Sequence, residues 1–186
     1  MGLFGWWKGK SDNGDLRAWR DEWARAVASL DTGALAPLEA ALRRQPPIAD
    51  DVEMEEEMLD GLRQLIAIER ELGAARLPLV ETTHRVVGTD RCHFSAPVSL
   101  PDDPAQPTGR LLLTSARAAF AGGARTLPLP WHAVREVMQG GRDVIFVTSR
   151  AGDGDGQRFR CNSYAEALCA AAIARFLMRQ SRGARL

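Results

Sequence analysis

Apolar side chains recur at steps of three and four from Leu16 through Trp19, Trp23 and Val27 to Leu30. That spacing gathers them on one stripe of a helix and leaves the polar positions on the other side. Asp12 or Asn13 can cap its start, and Asp31-Thr32-Gly33 interrupts the pattern. Leu35, Leu38 and Leu42 predict a second, shorter helix. Pro37 is tolerable only in its first turn, and Gln45-Pro46-Pro47 ends it. A third helix follows Asp50, which stands three residues before Glu53 at capping-box spacing. Glu53, Glu55, Glu56 and Glu57 suit the positive end of its dipole. Leu59, Leu62, Leu65, Ile66, Ile68 and Leu72 supply its buried side, and Gly73 and Pro78 close it. Residues 1–14 therefore read as a tail and residues 15–78 as a helical region.

From residue 79 the period shortens to that of strands. Runs rich in β-formers fall at 84–87, 91–94, 110–114, 118–121, 125–129, 131–138, 143–149 and 157–162. Gly122-Gly123, Gly140-Gly141 and the glycines between Gly152 and Gly156 separate successive runs as hairpin turns. The spacing leaves no room for crossover helices, so the predicted sheet is antiparallel. Residues 101–107 hold three prolines and read as a loop. Ser163-Tyr164-Ala165-Glu166 is a capping box, opening a last helix whose apolar face is Ala165, Leu168, Cys169, Ala172, Ile173, Phe176 and Leu177. Arg175, Arg179 and Arg182 lie toward its negative end. A half-open barrel needs a plug, and this helix suits the role. The fold class is α+β: three helices, then an antiparallel sandwich or barrel capped by a C-terminal helix.

Within the strand region one order of residues is distinctive. Gly109-Arg110-Leu111-Leu112-Leu113-Thr114 is followed by Arg117-Ala118-Ala119-Phe120. Then come Thr126-Leu127-Pro128-Leu129 and Val134-Arg135-Glu136-Val137. This succession resembles the core of the pleckstrin-homology-like superfamily, in its GRAM and bacterial variants. The resemblance implies a sandwich with a C-terminal helix, here a domain over 79–182. Two departures are the Ala-rich strand at 117–121 and the long proline-rich loop at 101–107. The N-terminal helices lie outside it. Many such domains read phosphorylated lipid headgroups in a basic pocket between early strands. On that resemblance Arg110, Arg117, Arg125 and Arg135 are the candidate ligand-binding residues.

Composition bears on the size of the core and on the kind of partner. The chain of 186 residues is 45% hydrophobic and 26% charged, enough for a real core. Lys+Arg and Asp+Glu are both 24, which argues against a uniformly basic nucleic-acid binder, so no nucleic-acid partner is expected. The zero conceals a division: residues 1–80 hold 10 basic and 15 acidic side chains, residues 81–186 hold 14 and 9. The tail departs from the rest. Leu3, Phe4, Trp6 and Trp7 followed by Lys8 and Lys10 combine interfacial aromatics with cations and are the candidate membrane-contact residues. No apolar run reaches membrane-spanning length and no secretory pattern opens the chain. The expected location is cytoplasmic, or peripheral at the inner membrane surface through the tail.

Catalytic chemistry finds little support. His84, Cys92, His93, His132, Cys161 and Cys169 are the soft ligands, without paired metal spacing. Cys92 and His93 are adjacent, so on a regular strand they face opposite sides and cannot form a nucleophile–base pair. Gly152-Asp153-Gly154-Asp155-Gly156 lacks the later ligands of a calcium loop. No glycine-rich phosphate cradle occurs, so no cofactor is expected. The expected function is a non-enzymatic binding or adaptor module for a protein partner or an anionic membrane surface. Two alternatives stand beside it. One is self-assembly into a homo-oligomer, or autoinhibition by acidic helices docking on the basic sandwich. The other is a small thiol- or metal-dependent enzyme.

Overall fold

The computed structural model describes residues 14–44, 52–123, 125–148 and 156–183. The chain is α+β and divides into two compact units, Met1–Leu59 and Asp60–Leu186. The first unit holds 7 basic and 12 acidic residues, the second 17 and 12.

In the first unit, α1 (Gly14–Ser29), a 3-10 turn (Thr32–Ala34), α2 (Leu35–Arg43) and the start of α3 (Glu53–Gly73) follow in order. Leu16, Trp19, Trp23 and Ala26 form the buried stripe of α1. Val27 is only half-buried and Leu30 is exposed, contrary to the expected stripe. The reason is local: α1 stops at Ser29, and Leu30 turns into the left-handed region at φ 53°. The Asp31 side chain then accepts from Gly33 N at 2.8 Å. Both indoles find backbone acceptors. Trp19 Nε1 donates to Leu38 O at 2.9 Å and Trp23 Nε1 to Met58 O at 2.6 Å. The caps expected at Asp12, Asn13 and Asp50 lie outside the described residues.

The second unit carries the rest of α3, a sheet and α4 (Tyr164–Gly183). The strands are β1 (Cys92–Ser99), β2 (Thr108–Thr114), β3 (Arg117–Gly122), β4 (Arg125–Pro130), β5 (Val134–Gly140), β6 (Asp143–Thr148) and β7 (Gln157–Cys161). They pair antiparallel in the order β4-β3-β2-β1-β7-β6-β5, so the sheet is not closed and β4 and β5 are its edges. It nevertheless curls onto itself. Phe120 of β3 and Phe159 of β7 are three strands apart in the order, yet their ring centroids lie 6.2 Å apart. Phe146 meets Phe159 edge-on at 5.6 Å and Trp131 at 6.3 Å. These four rings are the centre of the core.

Two expected strands change. Residues 84–87 form no strand, and 85–89 are a turn. His84 N donates to Thr82 Oγ1, Val87 N to His84 O, and Gly88 takes φ 60°. Val87 is buried there with Cys92, Leu112 and Ala121, and Val80 and Val86 pack against the cluster. This loop covers the outer face of β2, which explains why Leu111, Leu112 and Leu113 are all buried although successive residues face opposite sides. Trp131–Ala133 is a 3-10 turn, with strand resuming at Val134. The indole of Trp131 is anchored inside by a bond to Thr114 O.

Ser163 caps α4 as expected, accepting from Glu166 N at 3.1 Å. Glu166 reaches back to Asn162 N at 2.9 Å, one residue before the position a capping box uses. α4 packs against β5, β1, β6, β7, β2 and the 3-10 turn Trp131–Ala133. It is buried on more sides than a single stripe: Ala167, Ala170, Ala171 and Ala174 are covered too, while Phe176 is only half-buried. On α3, Gly61 lies against the start of α4, where an added Cβ would sit 3.2 Å from Ala165 N.

Candidate functional site

The open sheet leaves a cleft of about 1260 Å³ along the β4 edge. One wall is Leu127, Pro128, Leu129 and Pro130 of β4. Met138, Ile145 and Val147 line it from β5 and β6. Met138 stands opposite Ile145, and Ile145 opposite Arg158, so the three share one face of β5, β6 and β7. This face points away from the aromatic core, because Phe146 and Phe159 occupy the alternate positions. Met138 is accordingly 45% exposed. Asp102, His132, Thr148, Gln157 and Arg158 supply the cleft's polar groups.

Among these groups Asp102 and Arg158 are paired and Gln157 Nε2 donates to Arg158 O, while Arg158 Nε is buried without a hydrogen-bond partner. Arg158 pairs with Asp102 through Nη2 and approaches Asp143 through Nη1 at 3.7 Å. Asp143 is held more closely by Arg160, at 2.8 and 3.0 Å. Arg125 pairs with Asp103, so two neighbouring aspartates of the β1–β2 loop tie down the starts of β4 and β7. The long proline-rich loop thereby acts as a brace between hairpin ends.

The four arginines singled out from the sequence stand apart. Arg110 and Arg125 lie toward one end of the β2–β3–β4 ladder and Arg117 at the other. Arg117 and Arg125 are separated by five residue steps of pairing, roughly 17 Å along the strands. Arg135 is on β5, at the opposite edge of the sheet. Arg110 donates to Ser95 Oγ at 3.0 Å, and Arg117 pairs with Asp90 at 3.1 Å. The tail residues Leu3, Phe4, Trp6, Trp7, Lys8 and Lys10 lie outside the described residues, as do four of the five residues of the Gly152–Gly156 turn. Among the described residues no helix is long and apolar enough to cross a membrane.

At Cys92 and His93 the strand is not regular. The pairing slips between Cys92 and Phe94, which oppose Thr114 and Leu113, leaving His93 as the extra residue of a bulge. Both side chains are buried, at 2% and 6% exposure. His93 Nδ1 lies 2.7 Å from Pro78 O and Nε2 lies 2.9 Å from Ser115 Oγ. In the neutral ring Nδ1 donates to the carbonyl and Nε2 accepts from the hydroxyl. A serine beside an oriented imidazole is half of a nucleophilic site. The other half needs free donors for an oxyanion. Here Ser115 N donates to Arg91 O, and Ala116 N and Arg117 N both donate to Thr114 Oγ1. The contact therefore fastens the 78–91 loop to the sheet.

Burial also quiets the thiols. It pushes Cys161 up to about 12 and Cys169 up to about 11, with nearby carboxylates adding to the effect. Cys92 is raised for the same reason, against a lowering by backbone hydrogen bonding at Phe94 and His93 and by the charge of Arg110. A thiol held protonated is a poor nucleophile and a poor metal ligand. Among the described residues no three His, Cys, Asp or Glu side chains converge as a metal site.

The cleft was not picked out by the sequence. Met138, Ile145 and Val147 look like any apolar strand positions, and only the curl of the sheet decides which face is left open. The one usable signal was Pro128 and Pro130, since prolines favour an edge strand. No protein-family model matches the chain, and no curated protein matches it either.

Proposed function

We propose that the chain is a non-enzymatic binding module of pleckstrin-homology-like type whose open cleft takes a protein partner. An antiparallel sheet that curls around an aromatic core, with a terminal helix packed on it, agrees with the resemblance carried by 109–137. The observation that carries the choice of partner is the lining of the cleft by Leu127, Leu129, Met138, Ile145 and Val147. A headgroup pocket needs converging free cations. Arg110, Arg117 and Arg125 instead have partners in Ser95, Asp90 and Asp103. An apolar trough suits a peptide or helix.

Peptides displayed on phage and selected against the full chain test this reading. Binders should be retained by the native protein and lost on the Met138→Asp and Val147→Asp variants. Binders indifferent to both variants would overturn it. The anionic-surface branch rests on the tail and is tested by vesicle pelleting with and without residues 1–10. Equal, negligible pelleting of both proteins removes it. The opposite charges of the two compact units favour a second reading, salt-sensitive association between copies. Light scattering at low and high salt decides it, and a monomer at both sinks it.

A further inference from the structure

The two edges of the open sheet differ in hydrogen-bonding chemistry, and the difference identifies what the cleft can accept. In β4, Pro128 faces Ala119 and Pro130 faces Arg117 across the ladder to β3. Proline has no N–H, so these are the non-hydrogen-bonded pairs, and Leu127–Phe120 and Leu129–Ala118 are the bonded ones. The carbonyls of Thr126, Pro128 and Pro130 then point to the free side, where Pro128 and Pro130 line the cleft. Of these three residues only Thr126 has an N–H to offer. The cleft-side edge of β4 is thus a row of acceptors.

An added strand needs acceptors and donors in alternation. Against this edge its own carbonyls would meet prolines. The fold deals with acceptors at its other edge in a different way. α4 lies beside β5, and its arginines serve the strand's carbonyls: Arg175 Nε donates to Val137 O at 3.0 Å, and Arg182 Nη2 to Val134 O and Arg135 O at 3.0 and 2.9 Å. An apolar helix bearing side-chain donors is therefore this molecule's own cover for such an edge.

We infer that the cleft receives the apolar face of a cationic amphipathic helix, whose Arg or Lys side chains donate to the outward carbonyls of Thr126 and Pro128 in β4, which have no hydrogen-bond donor among the described residues. Charge on the open face agrees. Glu136 stands opposite Val147, hence on the same face as Met138 and Ile145, exposed and with no ion-pair partner among the described residues. The cation at the cleft, Arg158, is balanced by Asp102 and lies 3.7 Å from Asp143, although its buried Nε has no hydrogen-bond partner, so the cleft's lining carries no net positive charge. A helix with leucines at i, i+3, i+4 and i+7 fits the trough formed by Leu127, Leu129, Met138, Ile145 and Val147. The inference rests on the reading of the cleft as a protein site.

Three fluorescent synthetic peptides test it on the full chain by anisotropy. One is an amphipathic helix of Leu, Ala and Arg. The second has the same composition with a central D-proline that forbids the helix. The third carries Glu in place of Arg. The first should bind, gain helicity on binding and weaken about tenfold or more on Met138→Asp and on Glu136→Lys. Met138 is substantially exposed, so its variant should fold, and Val147→Asp serves as a second check. If the D-proline or the Glu peptide binds as tightly as the first and is lost on Met138→Asp, the helix inference falls while the cleft reading stands. If no peptide, synthetic or selected, depends on Met138 or Val147, both fall.

Discussion

Arg175 of the last helix donates from Nε to the carbonyl oxygen of Val137 on edge strand β5 at 3.0 Å. Two turns on, Arg182 does the same for Val134 and Arg135. Position near the helix end suggested a role toward the dipole. The geometry adds another: the guanidiniums remove acceptors from an exposed strand edge, a place where chains otherwise pair and aggregate. Replacing both residues by Ala removes three partly exposed charge-assisted bonds and should lower unfolding free energy by about 2–3 kcal/mol or more. It should also produce concentration-dependent association in light scattering. A variant that melts like the native protein and stays monomeric would refute the edge-guarding role.

Gly109 opposes Val98 on one side and lies against β3 on the other, where a Cβ would stand 2.5 Å from Ala121 O and 2.8 Å from Phe120 Cε2. Neither the strand backbone nor a core ring can move away cheaply. Gly109→Ala should destabilise by about 3 kcal/mol through overpacking. Gly140→Ala, where nothing lies within 4 Å, should change stability by less than about 0.5 kcal/mol. Thermal melts of the two variants side by side check this. Comparable melts would mean that the close packing at Gly109 is not a constraint.

Legibility followed the range of the forces involved. Helix periods, hairpin glycines and the Ser163 cap are local, and they placed α1, α2, α4 and most strands. Where a distant element decides, local pattern failed. Val86 and Val87 have strand chemistry, but Gly88 turns the chain and leaves them packing over Leu112. Glu55 reads as one of four carboxylates suited to the helix dipole, and the sequence does not show that it is fully buried and met by Arg20 from α1. Cys92 and His93 have opposite faces on a regular strand, but a bulge interrupts the pairing there and both side chains are buried. The cleft was least legible, since the openness of the sheet depends on how all seven strands curl.

The plug on the sheet can be tested residue by residue. Ile173 and Leu177 are each 2% exposed, whereas Phe176 is half-buried. Ile173→Asp places an unpaired charge among β-strand side chains and should abolish cooperative folding of the second unit, a loss above about 4 kcal/mol. Phe176→Asp, able to turn its carboxylate toward water, should cost roughly half as much. Circular dichroism melts separate them. The reverse ranking would show that the orientation of α4 differs from that described.

The raised thiols make stability depend on alkaline pH. A group whose folded value lies above its unfolded value near 9.0 is protonated in the fold while the unfolded chain ionises. Its contribution is complete below that value and is lost as pH climbs, up to about 11 for Cys169 and about 12 for Cys161. Each thiol should then remove about 1.4 kcal/mol per pH unit within its window. Urea midpoints should fall above pH 9 and fall less for Cys161→Ala relative to its own neutral-pH value. Native protein near pH 8 should react slowly with an aromatic disulfide reagent and release all three thiols on denaturation. Rapid native labelling at Cys161 would contradict its burial.

Glu55 and Arg20 offer the sharpest energetic contrast in the first unit. Arg20 Nε and Nη2 both lie 2.6 Å from Glu55 Oε1, while Oε2 is buried with no hydrogen-bond partner. Half of a fully desolvated carboxylate is therefore unsatisfied, and one guanidinium offsets it. Removing that guanidinium alone, as Arg20→Ala, should cost about 3–5 kcal/mol because an uncompensated buried charge remains. Removing both charges, as Arg20→Met with Glu55→Met, should be neutral or stabilising, since apolar side chains of similar volume avoid the desolvation penalty altogether. Glu55→Gln should fall between, keeping the shape and losing the charge. Denaturant titrations of the three variants, read in the transition of the first unit through Trp19 and Trp23 fluorescence, give the ranking. A double variant less stable than Arg20→Ala would mean that the pair contributes net stability despite its orphaned oxygen.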